Sequence, residues 1–267
     1  MTGSVLESSQ FLDVRREEDL LLLELDDPGR ANALSPEMIA AVTAIYTRDL
    51  RADGLRAVIL SGRGKHFSAG ADLEHLRSLG AAGYDENLAD SQRLRALFES
   101  ILRQPALTLA AVQGACVAGG CGLATAHDFV VATEDSRFLY SEVRIGFVAA
   151  LVATFLPLRL RGRDVRDVLL NPEFVGATRA LEIGLVNRVV AASELTAQTR
   201  KLAVEILERA SSESIARTKK LLLDTMGQGL GEALELAAKV NAEARGTDDC
   251  RHGIATFLET KAPPTWR

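Results

Sequence analysis

The chain has 267 residues, of which 47% are hydrophobic and 25% are charged, and its formal net charge is −5. This composition is typical of a water-soluble globular protein with one large core, and the scattered basic residues argue against nucleic-acid binding. Neither the first twenty residues nor any later stretch is apolar enough for a signal peptide or a membrane span, which predicts a cytoplasmic protein without a membrane partner.

A strand–helix–strand unit is predicted near the start of the chain. "LLLLEL", Leu20–Leu25, forms a strand that ends in an Asp-Asp-Pro-Gly turn. Ser35 and Pro36 supply the N-cap and the first position of a helix that we expect to reach about Leu50. "RAVILSG", from Arg56, is a continuous apolar run closed by glycine, which predicts a strand buried on both faces.

The same pattern is then repeated. A second amphipathic helix is predicted to end before Pro105, and "LTLAAV", Leu107–Val112, follows it as another buried strand. Residues 78–87, between the two units, are rich in glycine and acidic residues and are predicted to form a mobile loop. The apolar face of the second helix comprises Leu94, Leu97, Phe98, Ile101 and Leu102.

The remaining elements divide the chain into two regions. Short strands are predicted at Phe129–Thr133, at Arg137–Tyr140 and, after helical material, at Gly184–Val190. From residue 193 the pattern is almost wholly helical. We therefore expect an α/β core domain at 1–192 and an all-α region at 193–267.

The cysteines and histidines do not indicate a metal site. The three cysteines are an odd number without C-x-x-C spacing, and the four histidines lack ligand spacing such as H-x-x-x-H. Each histidine is therefore interpreted as an ordinary polar or core residue, and no metal is predicted. These residues are Cys116, Cys121, Cys250, His66, His75, His127 and His252.

Two segments place small residues where a helix should begin. "FSAGADL" follows one predicted strand through a loop, and "VAGGCGLATA" follows another. Small side chains at a helix start leave backbone N–H groups open to an oxygen that carries negative charge, so Ala69 and Gly119 are candidates for an oxyanion hole. Alternatively, the glycines only allow helices to pack closely on strands. Phosphate loops are excluded, since "SGRGKHF" has Phe67 where G-x-G-x-x-G requires glycine.

A serine hydrolase is a separate hypothesis. Ser68 lies in "HFSAG", which differs from the nucleophile elbow G-x-S-x-G because His66 replaces the first glycine. Asp128 and His252 would complete the triad order. Single Ser, Asp and His residues of this kind occur in almost any chain, which weakens the hypothesis.

Three longer motifs together resemble the enoyl-CoA hydratase/isomerase (crotonase) family. They are "RANALS", "VILSGRGKHFSAGADL" and "AVQGACVAGGCGLATAHDFVVATEDSRF", and the resemblance continues to about residue 265. It implies a spiral of repeated ββα units, a C-terminal helical region that builds trimers or hexamers, and a substrate held as a coenzyme A thioester, with no tightly bound cofactor. The family's two oxyanion donors then correspond to Ala69 and Gly119.

The carboxylates depart from the pattern of the family's hydratases. Such enzymes have two glutamates, and the resemblance places them at Gly122 and Glu142, so one carboxylate is missing. A hydratase could keep Glu142 as the proton donor and position water by other groups. An isomerase that moves a proton between C2 and C4 needs only Glu142. A decarboxylase, a thioesterase-like enzyme and a non-catalytic acyl-CoA-binding paralogue are further alternatives, whereas a dienoyl isomerase is disfavoured because its aspartate would fall at Ala150.

The combination of Gly122 with "SEVRIGF" resembles bacterial methylglutaconyl-CoA hydratases of leucine and isovalerate metabolism. The resemblance therefore favours hydration, or its reverse, on a short branched 2-enoyl-CoA. Tyr140 and Arg144 are the other candidate residues of the substrate pocket. Arg144 and Lys65 are candidate cations for a distal carboxylate, although solvated surface positions are the alternative for both.

The resemblance also implies a set of coenzyme A contacts. Asp72 would contact the adenine or, alternatively, cap a helix that begins at Leu73. Phe257 and Lys261 match positions that close the nucleotide pocket, often from a neighbouring subunit. The predicted contacts are Arg30, Ala31, Ala69, Gly70, Ala71, Asp72, Leu73, Phe257 and Lys261.

Overall fold

The strands of the computed structural model form two sheets. The model describes residues 7–267, so residues 1–6, the start of the predicted core domain, lie outside the described residues. The larger sheet has the strand order β1-β2-β3-β4-β6-β9 and the smaller one β5-β7-β8. The strands are β1 (Leu12–Glu17), β2 (Leu20–Leu25), β3 (Ala57–Gly62), β4 (Leu107–Val112), β5 (Ala115–Val117), β6 (Phe129–Thr133), β7 (Arg137–Leu139), β8 (Val175–Gly176) and β9 (Arg188–Val190).

The helices connect these strands and then form the C-terminal end of the chain. No helix among residues 7–267 is both long and apolar enough to cross a membrane. The α-helices are α1 (Pro36–Tyr46), α2 (Leu73–Leu79), α3 (Tyr84–Arg103), α4 (Gly119–Thr125), α5 (Ala150–Phe155), α6 (Gly162–Leu170), α7 (Ala177–Ile183), α8 (Leu195–Arg209), α9 (Ser212–Asp224), α10 (Leu230–Arg245) and α11 (Asp248–Thr260).

The centre of the larger sheet is parallel, as the continuous apolar runs predict. β3 pairs in parallel with β2 and β4, and β6 pairs in parallel with β4 and β9. Every residue of β4 is buried, because helices cover both faces of the sheet. The predicted α/β fold class, with repeated strand and helix units and a helical C-terminal end, is confirmed.

Alternate residues of the central strands enter two different cores. Val58 and Leu60 of β3 belong to the core that also contains residues of α1 and α3. Ala57 and Ile59 face the opposite side, where they belong to a core with residues of α8. This alternation follows from the two-residue period of a strand.

Helix α8 therefore packs on the sheet, although the sequence pattern assigned it to the separate region 193–267. Leu195, Leu202 and Leu207 of α8 are buried in the same core as strand residues of β3, β4 and β6. We propose that the structural division of the chain falls after α8 rather than at residue 193. The helices α9 to α11 contain no buried residue, which distinguishes them from α8.

The first helix is shorter than predicted. Ser35 caps α1 by accepting a hydrogen bond from the Met38 N–H, as expected, but the helix ends at Tyr46 rather than near Leu50. The Asp49 side chain accepts hydrogen bonds from the N–H groups of the next turn, at Arg51 and Ala52. Such local side-chain bonds compete with helix continuation, which explains the early end.

The prediction of a mobile loop at 78–87 is wrong for most of these residues. Helix α2 continues to Leu79 and α3 already begins at Tyr84. Asp85 and Glu86 occupy the first turn of α3, where negative charge stabilises the positive end of the helix dipole. The Asn87 side chain donates to the carbonyl oxygens of Leu79, Ala82 and Gly83, at the end of α2 and in the connection to α3. The polar residues of the segment 78–87 therefore stabilise helix ends.

Some strand boundaries also differ from the prediction. The sequence pattern missed β1, which pairs antiparallel with β2, and the short strands β5 and β8. The last strand begins at Arg188 rather than Gly184, because Gly184 has a left-handed conformation (φ +84°) that caps α7. The predicted strand that reaches Tyr140 ends one residue earlier, at Leu139.

Candidate active site

The two segments of small residues lie side by side. Ser68 forms a parallel bridge with Cys116, and the Val117 N–H donates to the Ser68 carbonyl oxygen at 3.0 Å. A Cβ atom on Gly70 (φ +84°) would lie 2.5 Å from the Val117 carbonyl oxygen. Only glycine allows this approach of the two backbones, so the geometry requires glycine at position 70.

The motif "RANALS" holds the first of these segments in place. Asn32 is fully buried, and its side-chain amide donates to the carbonyl oxygens of Arg63, His66 and Phe67. Its side-chain oxygen accepts from the Asp27 N–H. One buried side chain therefore satisfies four backbone groups and fixes the loop that leads to residues 68–72.

The amide predicted as the first oxyanion donor is already bonded. The Ala69 N–H donates to the Ala31 carbonyl oxygen at 2.8 Å, so the assignment of Ala69 is wrong. Within the described part of the chain, the Ala71 N–H has no hydrogen-bond partner. A Cβ atom on Gly119 would lie 4.0 Å from the Ala71 nitrogen, so the free amide is beside the second predicted donor.

Gly119 keeps the place that the sequence predicts. It is the first residue of α4, where an N–H has no partner inside the helix, and no partner for it occurs among residues 7–267. Ala71 and Gly119 both line one cavity, and each has a backbone N–H without a partner in the described structure. This pair is the candidate oxyanion hole of the structure.

The predicted carboxylate lines the same cavity. Glu142 begins a short 3-10 helix (Glu142–Ile145) that follows β7 after Tyr140 and Ser141, and it is only 9% exposed. Its Oε2 atom is buried without a hydrogen-bond partner in the described structure. Burial raises the pKa of the Glu142 carboxyl above its ordinary value, because the charged form loses its hydration. A buried carboxyl with one unpaired oxygen, in the same cavity as free amides, is typical of a site for proton transfer.

The cavity has a volume of about 240 Å³. Its wall is mostly apolar, and neither arginine nor lysine lines it in the region that the structure describes. The apolar side chains that line it are Leu34, Ile39, Leu73, Leu76, Leu94, Phe98, Ile145, Phe147, Val148, Leu151 and Val152.

The position of the missing glutamate is filled. A Cβ atom on Gly122 would lie 2.7 Å from Phe98 Cζ and 2.7 Å from Val152 Cγ2. Phe98 and Val152 line the cavity, whereas Gly122 lies behind them and does not. The prediction of Gly122 as a pocket residue is therefore corrected.

Two further predictions for the substrate pocket are also corrected. Tyr140 is fully buried, and its hydroxyl is 3.5 Å from that of Thr125, so it belongs to the core. Arg144 donates through Nε to the Pro172 carbonyl oxygen at 2.9 Å and does not line the cavity. Lys65, the other candidate cation, is also absent from the cavity wall of the described chain.

The predicted coenzyme A contacts lie in two places. Asp72 caps α2 by accepting from the Glu74 and His75 N–H groups, and its other oxygen pairs with Arg30 at 2.8 Å. The capping alternative therefore accounts for Asp72. Leu73 is 72% exposed at the cavity mouth. Phe257 and Lys261 lie near the end of α11, away from the cavity wall, and their role stays a prediction.

The hydrolase hypothesis is not supported by the geometry. The Ser68 hydroxyl is fully buried and donates to the Asn32 carbonyl oxygen at 2.8 Å. Asp128 accepts from Thr108 and pairs with Lys219 at 2.6 Å, and His252 packs edge-on against Trp266. The three residues thus have separate structural partners, and no triad is assembled.

Sequence reasoning missed one ionisable pair in the cavity. His75 of α2 and Asp90 of α3 both line it, and His75 Nε2 is 2.8 Å from Asp90 Oδ1. The N-cap at Asp72 fixes the position of His75 at the start of α2, and this signal is readable in the sequence. Its pairing with Asp90 depends on how α2 and α3 pack, which the sequence does not display.

Gly119→Ala tests the candidate oxyanion hole. The added Cβ would lie 3.3 Å from Leu34 Cδ1, a flexible side-chain end, so the variant should fold. The methyl group would crowd the space between the two amides, and we expect kcat/KM to fall about 100-fold because the bound oxygen is displaced. Steady-state kinetics and urea unfolding measure the two effects. Gly231→Ala in α10, where the added atom meets nothing within 4 Å, is the matched control; equal activity of both variants would contradict the assignment.

The chain is similar to known proteins over nearly its whole length. The sequence model of a family described as enoyl-CoA hydratase/isomerase matches residues 15–267. A Thermus thermophilus protein, named provisionally as an enoyl-CoA hydratase, is 44% identical over 90% of this chain and 94% of its own. The crotonyl-CoA hydratase of Syntrophomonas wolfei is 30% identical over 93% of this chain and 95% of its own. The crystal structure of an enoyl-CoA hydratase from Mycobacterium smegmatis superposes with a TM-score of 0.88 at 29% identity. The match covers 97% of this chain and 99% of that one.

Proposed function

The chain belongs to the enoyl-CoA hydratase/isomerase family, and from this premise we propose that it adds water across the double bond of a 2-enoyl-CoA thioester. One observation carries the proposal. The buried Glu142 carboxyl, with an unpaired oxygen, lines the same cavity as the free N–H groups of Ala71 and Gly119. A thioester reaction through an enolate needs both parts.

The two amides bind the thioester carbonyl oxygen. This oxygen gains negative charge when the C2=C3 electron pair moves toward the carbonyl group. N–H donors that are already in place need no reorganisation at that moment, and each is worth about 3 kcal/mol of barrier. The apolar cavity wall strengthens these hydrogen bonds by excluding water.

Glu142 delivers the proton to C2. Because burial raises the pKa of its carboxyl, the protonated form needed for this step persists to higher pH than in an exposed glutamate. Water forms the new C–O bond at C3, and the enolate collapses as C2 takes the proton. The reverse sequence removes water from a 3-hydroxyacyl thioester with Glu142 as the base.

We propose an uncharged acyl group, short and either straight or branched. The sequence resemblance favoured a 3-methylglutaconyl group, whose distal carboxylate needs a cationic partner. Arg144 is engaged with Pro172, and Lys65 does not line the cavity, so the wall offers that carboxylate neither predicted cation. The apolar lining supports an uncharged chain instead.

An enoyl-CoA isomerase is the second candidate function. The observation that favours it is Gly122, because Phe98 and Val152 fill the position of a second carboxylate. Glu142 alone could move a proton between C2 and C4. This alternative predicts interconversion of 3-enoyl and 2-enoyl thioesters without a change in mass.

One experiment separates these functions. Crotonyl-CoA and a 3-enoyl-CoA are each incubated with the protein, and the products are identified by ultraviolet absorbance and mass. Hydration removes the conjugated absorbance and adds the mass of one water, whereas isomerisation of the 3-enoyl thioester creates the absorbance at constant mass. Failure to change either substrate would support the non-catalytic alternative and overturn the proposal.

We also propose that the chain assembles as a trimer or hexamer through its C-terminal helices. These helices and the turn between α9 and α10 carry large apolar side chains that are exposed in a single chain, and such patches favour a protein partner. A second copy would also bring Phe257 and Lys261 to a neighbouring coenzyme A site. The exposed apolar residues are Leu222, Met226, Leu230, Leu234, Ile254, Phe257 and Leu258.

A further inference from the structure

The cavity contains a second candidate for proton transfer besides Glu142. His75 Nε2 is 2.8 Å from Asp90 Oδ1, and both side chains are partly buried at the cavity wall. Asp90 also accepts from Arg93 at 3.0 Å on the same helix. Asp90 is thereby held between two donors and fixes the orientation of the imidazole ring.

The other ring nitrogen of His75 is available. An ionised carboxylate accepts hydrogen bonds and cannot donate them. A neutral His75 paired with an ionised Asp90 therefore carries its proton on Nε2, toward Asp90. Nδ1 then has a free lone pair, and no hydrogen-bond partner for it occurs among the described residues. An imidazole oriented by a carboxylate, with one free nitrogen, is the usual arrangement of a general base.

Hydration needs such a group. The water that attacks C3 must lose a proton, and Glu142 is assigned to C2. The family position at 122 holds no carboxylate and is closed by Phe98 and Val152. Asp72, another acid at the cavity wall, is engaged with the α2 N-cap and Arg30. Asp90, the third acid at the wall, is engaged through Oδ1 with both His75 and Arg93. Among the described residues that line the cavity, His75 therefore supplies the neutral base, and Asp90 orients it.

We propose that His75, oriented by Asp90, accepts the proton of the water that attacks C3. This inference rests on the proposed hydration. The water oxygen bonds to C3 while one of its protons passes to His75 Nδ1, and the C2=C3 electron pair moves into the enolate held by Ala71 and Gly119. Glu142 then gives its proton to C2. The imidazolium releases its proton to solvent and Glu142 takes one back, so the net change is the addition of one water.

His75→Gln tests the proposal with two readouts. We expect kcat for the hydration of crotonyl-CoA to fall about 10²–10⁴-fold, with a smaller change in KM. Exchange of the C2 protons of butyryl-CoA with deuterated solvent, followed by proton NMR, should continue at a rate near that of the unchanged protein. Exchange needs the two amides and Glu142 but no attacking water, so Glu142→Gln should lose both activities.

Two controls identify the role of the pair. His252→Gln changes a histidine outside the cavity and should leave both activities unchanged. Asp90→Ala should lower the kcat for hydration, but by a smaller factor than His75→Gln does. Asp85→Ala, in the first turn of the same helix, should leave this kcat unchanged.

Three outcomes would overturn the inference. In the first, the His75→Gln variant hydrates crotonyl-CoA at the rate of the unchanged protein. In the second, it loses hydration and C2 exchange equally, as expected if His75 is a structural residue. In the third, the only change is a higher KM for a dicarboxylic thioester, as expected if His75 is a binding residue. In each case the unchanged protein still hydrates crotonyl-CoA. Failure of the unchanged protein to do so would instead remove the proposed function.

Discussion

Glu142→Gln lowers the rate of hydration of a 2-enoyl-CoA by about 10²–10⁴-fold, because glutamine keeps the shape of the side chain but carries no transferable proton. The Glu142 side chain is buried, and its Oε2 atom has no hydrogen-bond partner in the described structure, so the amide has room without breaking a hydrogen bond at that atom. The measurement is the loss of enoyl absorbance under single-turnover and steady-state conditions. KM should change little, since the thioester oxygen is still held by the two amides.

The pH dependence of the reaction has a defined sign. Hydration needs the protonated Glu142, so kcat/KM falls as pH rises through the raised pKa of its carboxyl.

The raised pKa of Glu142 also makes the free energy of unfolding depend on pH. A carboxyl whose pKa is higher in the folded state stabilises the fold fully below its unfolded pKa, and this contribution is lost as pH rises through the folded pKa. Glu142→Gln does not titrate and should lose less stability over that interval in urea unfolding.

Glu134→Gln is the matched control for this prediction. Glu134 is exposed at the end of β6, so its replacement should change neither the rate nor the pH dependence. If Glu142→Gln hydrated at the rate of the control, the acid that protonates C2 would have to be another group. His75 would then be the first residue to consider, since it lines the same cavity.

The parallel sheet could be read from the sequence because it depends on local pattern. Continuous apolar runs predict β3 and β4 directly, and β2 and β6 also start and end where predicted. The position of Glu142 followed from family resemblance alone. Its burial and its unpaired oxygen came only from the fold, since they depend on the walls that other segments supply.

The oxyanion donors show where local pattern is insufficient. Ala69 and Ala71 flank Gly70 symmetrically in "SAGAD", and the sequence does not distinguish their amides. The distinction arises from Ala31, nearly forty residues earlier, whose carbonyl oxygen accepts from Ala69 and leaves Ala71 free. The His75–Asp90 contact was missed for the same reason, because it joins two helices whose packing no short motif specifies.

Gly122→Glu, which restores the residue of two-glutamate hydratases, should destabilise the protein rather than improve it. Its Cβ would lie 2.7 Å from both Phe98 and Val152, and overpacking of this kind costs about 1–3 kcal/mol before the charge is considered. A carboxylate among these side chains would also lose its hydration without a partner, which adds to the cost. The measurement is the free energy of unfolding in urea, together with the rate of hydration.

Gly122→Ala and Gly231→Ala separate the steric effect from the charge. Gly122→Ala meets the same two side chains and should lose about 1–3 kcal/mol, whereas Gly231→Ala, in an open part of α10, should be neutral or stabilising by about 0.4–1 kcal/mol. Gly122→Glu should also fail to restore hydration in the His75→Gln background. A Gly122→Glu variant of normal stability with faster hydration would mean that Phe98 and Val152 yield readily, and that a second carboxylate, rather than His75, suits this cavity.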